Sequence, residues 1–72
     1  MSTSAIIELL GGRQKTAKLC GVKPTAVSMW KTSGIPPWHW PRIVAHAERT
    51  HIPGVTYEAI QEARRLAREP AP

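Results

Sequence analysis

Six cations, Arg13, Lys15, Lys18, Lys23, Lys31 and Arg42, lie between Leu9 and Ala47, and no Asp or Glu falls among them. An uninterrupted positive field of this kind suits a polyanion. The formal charge of the 72-residue chain is +5, which points to nucleic acid or an anionic surface; a merely solvated basic face is the bland alternative. Other chemistries find little to work with. The chain has no Asp or Asn, its glutamates lie outside the basic stretch, and no triad or acid–base pair can be assembled from what remains. His39, His46 and His51 are spaced so that one helix face cannot gather all three, and Cys20 has no second cysteine for a zinc-finger pattern. His46 reads as a solvated or locally bonded histidine. Gly11-Gly12 lacks the lysine and hydroxyl residue of a phosphate-binding loop. The expectation is a protein that is not an enzyme, with no catalytic residue, metal, cofactor or small-molecule substrate.

The elements that must position the cations are legible around them. Residues 13–32, RQKTAKLCGVKPTAVSMWKT, read as two short helices joined by a tight glycine turn, the spacing of a helix-turn-helix. Ala17 falls where two crossing helices need a small side chain, and Gly21 four residues later can take the positive φ of a sharp turn. Val22 and Val27 supply apolar anchors on either side, and Trp30 closes the apolar face of the second helix.

Around this core the pattern predicts an all-α chain of about five short helices. Ser2-Thr3-Ser4 offers capping hydroxyls to a first helix that Gly11-Gly12 ends. The second helix spans residues 13–20 and the third starts at Lys23 or Pro24 and runs to Ser33, with proline in a first turn where its missing N–H is not needed. Gly34 stops it, and Ile35-Pro36-Pro37 reads as an extended connector. A fourth helix starts near Trp38 and lays Trp40, Ile43, Val44 and Ala47 on one face. After a break at Ile52-Pro53-Gly54, Thr56 caps a fifth helix with Tyr57, Ile60, Ala63, Leu66 and Ala67 on its apolar side. No segment commits to a strand, although Gly54-Val55-Thr56 can pair briefly. Of the tryptophans, Trp30 reads as core, Trp40 as buried, and Trp38 as a partly buried surface residue at the proline-rich connector. Residues 1–68 form one small domain and 69–72 a frayed tail. A chain this short buries about 60% of its unfolded surface, so a dimer would help its stability. One cysteine, no secretion signal and no span of about 20 apolar residues predict a reducing, cytoplasmic setting away from membranes.

Lys15-Thr16-Ala17-Lys18, Gly21-Val22 and Thr25-Ala26-Val27 resemble the Cro family of phage repressors over about a quarter of the chain. The wider pattern, including Gly34-Ile35-Pro36, is also similar to the related YdaS-type regulators known as antitoxins. The resemblance implies a lambda repressor-like fold whose second motif helix enters the major groove of duplex DNA while the first crosses the backbone. It places Lys23, Pro24, Thr25, Ser28 and Met29 toward the bases. Two of these depart from the family: Pro24 replaces an amide able to address adenine, and Met29 replaces a cation able to address guanine. Direct readout then rests on Lys23, Thr25 and Ser28, with Pro24 and Met29 left to apolar contact such as thymine methyls.

Phosphate contacts need only charge and helix-end N–H groups. Arg13, Gln14, Lys15 and Lys18 are the candidates on the second helix, with Lys31, Thr32 and His39 on the far side of the groove. The expected function is a sequence-specific transcriptional regulator, a Cro-like repressor of phage or prophage type. The alternatives are an antitoxin-like regulator and a protein-interaction module that docks through the Trp38 region. A homodimer is expected because one short helix reads too few base pairs, with half-sites roughly 34 Å apart. Its contact is expected on the fifth helix and the linker from Ile52 to Val55, with Trp38 a possible contributor.

Overall fold

The structure is a computed structural model that describes residues 1–68; the expected tail, 69–72, lies outside the described residues. Five α-helices follow one another: α1 (Thr3–Leu9), α2 (Arg13–Cys20), α3 (Pro24–Ser33), α4 (Trp40–Arg49) and α5 (Tyr57–Arg68). Local chemistry sets each boundary. Ser2, in extended backbone, caps α1 by accepting the Ala5 N–H on its Oγ at 3.1 Å. Gly11 and Gly12 carry the chain out of α1 by donating to the carbonyls of Glu8 and Ile7. Thr16 donates its hydroxyl back to the Gly12 carbonyl at 2.9 Å, which ties the first turn of α2 to that exit.

At the end of α2, Gly21 adopts left-handed φ 70° and ψ 33°, and the N–H groups of Gly21 and Val22 satisfy the last carbonyls, those of Lys18 and Ala17. Lys23 then stands at the cap of α3 and Pro24 in its first turn. Gly34 stops α3 at φ 88° for a second reason as well: a Cβ there would lie 2.9 Å from the Cα of Arg64 in α5. Only glycine lets these two backbones approach so closely.

All five helices contribute to one core. Ile6, Ile7, Ile35, Ile43, Ile60 and Val27 are essentially sealed from solvent, and Ala17, Cys20, Trp30, Val44, Ala47, Val55 and Ala63 fill the space between them. The radius of gyration, 11.2 Å, equals the value of about 11 Å for a compact chain of this length.

Several expectations need correction. The connector is extended only through Pro36; Pro37–His39 form a 3-10 turn, and α4 begins at Trp40 instead of near Trp38. Proline at 37 suits a first helical turn as well as an extended chain, which is why composition alone misreads it. Gly54-Val55-Thr56 forms no strand: Thr56 caps α5 by accepting the Ala59 N–H at 3.1 Å, and Val55 drops into the core. On α5, Ile60 and Ala63 are buried as expected, but Tyr57 and Leu66 are nearly half exposed. They stand nine residues apart, a rotation of about 180° on a helix, and so flank the buried stripe on opposite sides. Trp38 is 76% exposed, a surface residue outright and not a partly buried one.

Trp40 is half-buried and donates its indole N–H to the Ile35 carbonyl at 2.8 Å, bridging the connector to α4. Trp40→Phe keeps an aromatic ring but removes the donor, together with part of the indole, beside a buried residue. The expected loss is about 1–2 kcal/mol, read as a lower urea midpoint at unchanged m-value. An unmoved midpoint would show that the carbonyl is served equally well by water.

Candidate nucleic-acid interface

The turn at Gly21 holds α2 and α3 against each other through Ala17, 2% exposed, and Val27, fully buried. With Val27 and Trp30 turned inward, the opposite side of α3 faces solvent. Lys23, Pro24 and Thr25 are exposed there, Met29 is 68% exposed, and Ser28 is half-buried between α3 and α2. Thr25, Ser28, Met29 and Thr32 fall at helical offsets of zero, three, four and seven, so they form one stripe along α3. Thr25, Ser28 and Met29 therefore share the outer side of α3, while Lys23 and Pro24 stand exposed at its N-terminal end, Lys23 as the cap before the first turn.

The residues expected to hold phosphates lie around that stripe with different freedoms. Arg13, Gln14 and Lys15 are exposed in the first turn of α2, where helix geometry leaves backbone N–H groups without intrahelical partners. Lys18 is exposed in the last turn, and Lys31 is exposed on α3. Thr32 is exposed too, but its hydroxyl donates to the Met29 carbonyl at 2.9 Å. It faces an anion with its proton already engaged. His39 is half-buried at the cap of α4, its ring centroid 5.1 Å from Trp30 and 5.9 Å from Trp38. Burial, with the Arg42 charge adding to it, holds its pKa below the usual histidine value. At neutral pH His39 accordingly offers an anion one neutral N–H and no positive charge.

One bond crosses between the two sets. Arg13 donates from Nη1 to Oγ of Ser28 at 3.2 Å, joining the start of α2 to the middle of α3. Fifteen residues of separation hide this contact from sequence reasoning, although the small residue at Ala17 is the signal that the helices approach closely. Arg42 is the other residue the sequence placed in the basic field without giving it a role. Its guanidinium reaches the Leu19 carbonyl, near the end of α2, at 3.4 Å.

Cys20 is buried beneath this surface, and desolvation pushes its thiol pKa up, so the thiolate needed for nucleophilic or metal chemistry is disfavoured. Among the described residues no three His, Cys or Glu side chains come together as a metal site, and no helix is long and apolar enough to cross a membrane. Comparison with protein-family models, with curated proteins and with solved structures finds no match to this chain.

Proposed function

We propose that this chain is a sequence-specific regulator of transcription that binds duplex DNA, with α2 and α3 acting as a helix-turn-helix and α3 as the helix that enters the major groove. The observation that carries the reading is the outer stripe of α3. Thr25 and Ser28 stand on one face of α3 with exposed Lys23 at its N-terminal cap, exposed cations lie beside them on α2 and at Lys31, and residues 9–47 contain no carboxylate to repel a phosphate backbone. A helix about 10–12 Å across fits the major groove, where hydroxyl and ammonium groups can address base edges. Arg13, Gln14, Lys15, Lys18 and Lys31 then set register on the phosphates. The resemblance to the Cro family favours repression as the sense of regulation.

Two-fold binding belongs to the same proposal, because a lone α3 covers too few base pairs for discrimination in a genome. The contact surface first expected needs revision: Val55 is buried and Ile52 packs on the core of its own chain, so neither is available to a second copy. On α5 that leaves exposed Tyr57 or Leu66, on opposite flanks, as the apolar contact.

Selection of bound fragments from a random duplex pool tests the reading directly. It predicts a recovered motif with two half-sites about one helical turn apart. Lys15→Ala, a substitution far from the bases, should weaken that site and random DNA equally and lower the salt slope of binding by about one. An unselected pool and salt-insensitive affinity would sink the proposal.

A further inference from the structure

We infer that the groove between α2 and α4 is a docking surface for an acidic amphipathic helix of a partner protein. Leu19, Trp38, Pro41, Arg42, Ala45 and Arg49 line it, an open groove of about 590 Å³. Arg42, Ala45 and Arg49 fall at offsets of zero, three and seven and so share one face of α4, Trp38 stands in the 3-10 turn that leads into it, and Leu19 of α2 makes the facing wall. The floor is apolar and both charged walls are cationic. Among the described residues no carboxylate lines the groove.

This composition decides the occupant. A sugar–phosphate backbone is met by cations alone and offers no apolar side chain to fill a floor of leucine, proline, alanine and tryptophan. A protein helix does offer one. Trp38 is 76% exposed, follows Pro36-Pro37, whose ring-fixed φ angles stiffen its approach, and touches the half-buried His39 ring. Such a tryptophan loses little freedom on binding and has a large apolar area to bury, as the anchors of interfaces do. Arg42 and Arg49 are seven residues apart, two helical turns or about 10 Å. Carboxylates seven residues apart on a partner helix meet both, with an apolar residue between them over Ala45 and another beyond the Arg42 end over Trp38. A second copy of this chain fits poorly. Its exposed glutamates on α5, Glu58 and Glu62, are four apart, and Glu62 is already bonded to Arg65.

The test uses the full chain against a displayed library of helix-forming peptides about 16 residues long, followed by anisotropy of the enriched peptides carrying fluorescein. Enriched sequences should place two acids seven apart around apolar residues, and a charge-reversed version carrying lysine should not bind. Trp38→Ala and Arg49→Glu should each weaken binding about tenfold or more while circular dichroism stays unchanged, because both side chains lie at the surface. Failure to enrich any peptide, enrichment of peptides without acids, or equal binding by the two variants would overturn the assignment. So would a matching loss of duplex DNA affinity in Trp38→Ala, which would put the groove in the nucleic-acid face, or loss of self-association by sedimentation, which would seat a second copy there. The first of these outcomes leaves the DNA proposal standing, and DNA binding that fails in the unaltered chain leaves the peptide result standing.

Discussion

A chain ended after Gly54 is expected to lose cooperative folding, not merely two-fold DNA binding. The removed segment carries Val55, Ile60 and Ala63, all 3% exposed or less, and α5 packs against α1, α3 and α4 together. Burying a valine or isoleucine side chain is worth about 1.5–3 kcal/mol, so Val55 and Ile60 alone account for about 3–6 kcal/mol. Removing α5 also uncovers the apolar surface of α1, α3 and α4 that it shields. A domain of this size has a total stability of about 4–11 kcal/mol. The truncated chain should show weak helical circular dichroism and no sigmoidal thermal transition. Leu66→Ala, on the exposed flank of the same helix, should shift stability by no more than about 0.5 kcal/mol. A cooperative transition in the truncated chain would show that α1 to α4 form a sufficient core alone. For the same reason the dimer contact is better tested by substituting Tyr57 and Leu66 singly than by deleting α5.

The helices were legible where punctuation is chemical. Gly11-Gly12, Gly21, Pro24 and Gly34 each impose a backbone geometry that few other residues accept, and α2 and α3 begin and end where these residues demand. The stretch from Ile35 to Trp40 was harder, because consecutive prolines are compatible both with extended chain and with the first turn of a helix; here the N–H groups of His39 and Trp40 close a 3-10 turn on the Pro36 and Pro37 carbonyls, and the Trp40 indole bonds the Ile35 carbonyl. Apolar periodicity located the buried stripe of α5 but overstated its width. Tyr57 and Leu66 obey the pattern, yet the neighbouring helices cover only the sector around Ile60 and Ala63. The candidate site divides in the same way. That Thr25, Ser28 and Met29 share the outer side of α3 follows from helical spacing once Val27 and Trp30 are assigned inward; Lys23 is exposed because it is the extended cap before the helix and not part of it. The states of individual groups do not follow from spacing: Thr32 spends its proton on Met29, His39 sits against two tryptophans, and Arg13 bonds to Ser28. Each depends on which side chains the fold brings within reach.

Replacing Lys23 and Ser28 by alanine is expected to separate specific from random binding more than any other change on the proposed DNA face. Lys23 caps α3 in extended backbone without a side-chain cap bond, so Lys23→Ala removes an ammonium and no helix-stabilising interaction. Ser28 is half-buried with its oxygen accepting from Arg13, which leaves its own proton free to donate to a base-edge acceptor such as N7 or O6 of guanine. Each good base contact is worth about 1–3 kcal/mol of discrimination, or roughly five- to 150-fold in affinity for the selected site. Random duplex, held by phosphate contacts, should lose little in Lys23→Ala beyond one unit charge and nothing in Ser28→Ala. The Arg13–Ser28 bond adds a second signature. Arg13→Ala should cost less in a Ser28→Ala background than in the unaltered chain, because the arginine then has no hydroxyl to orient; a double-mutant cycle on the selected site reads this coupling directly. Equal losses on selected and random DNA would move Lys23 and Ser28 to the phosphate-contacting set. Additive losses for Arg13 and Ser28 would leave their 3.2 Å contact without a part in recognition.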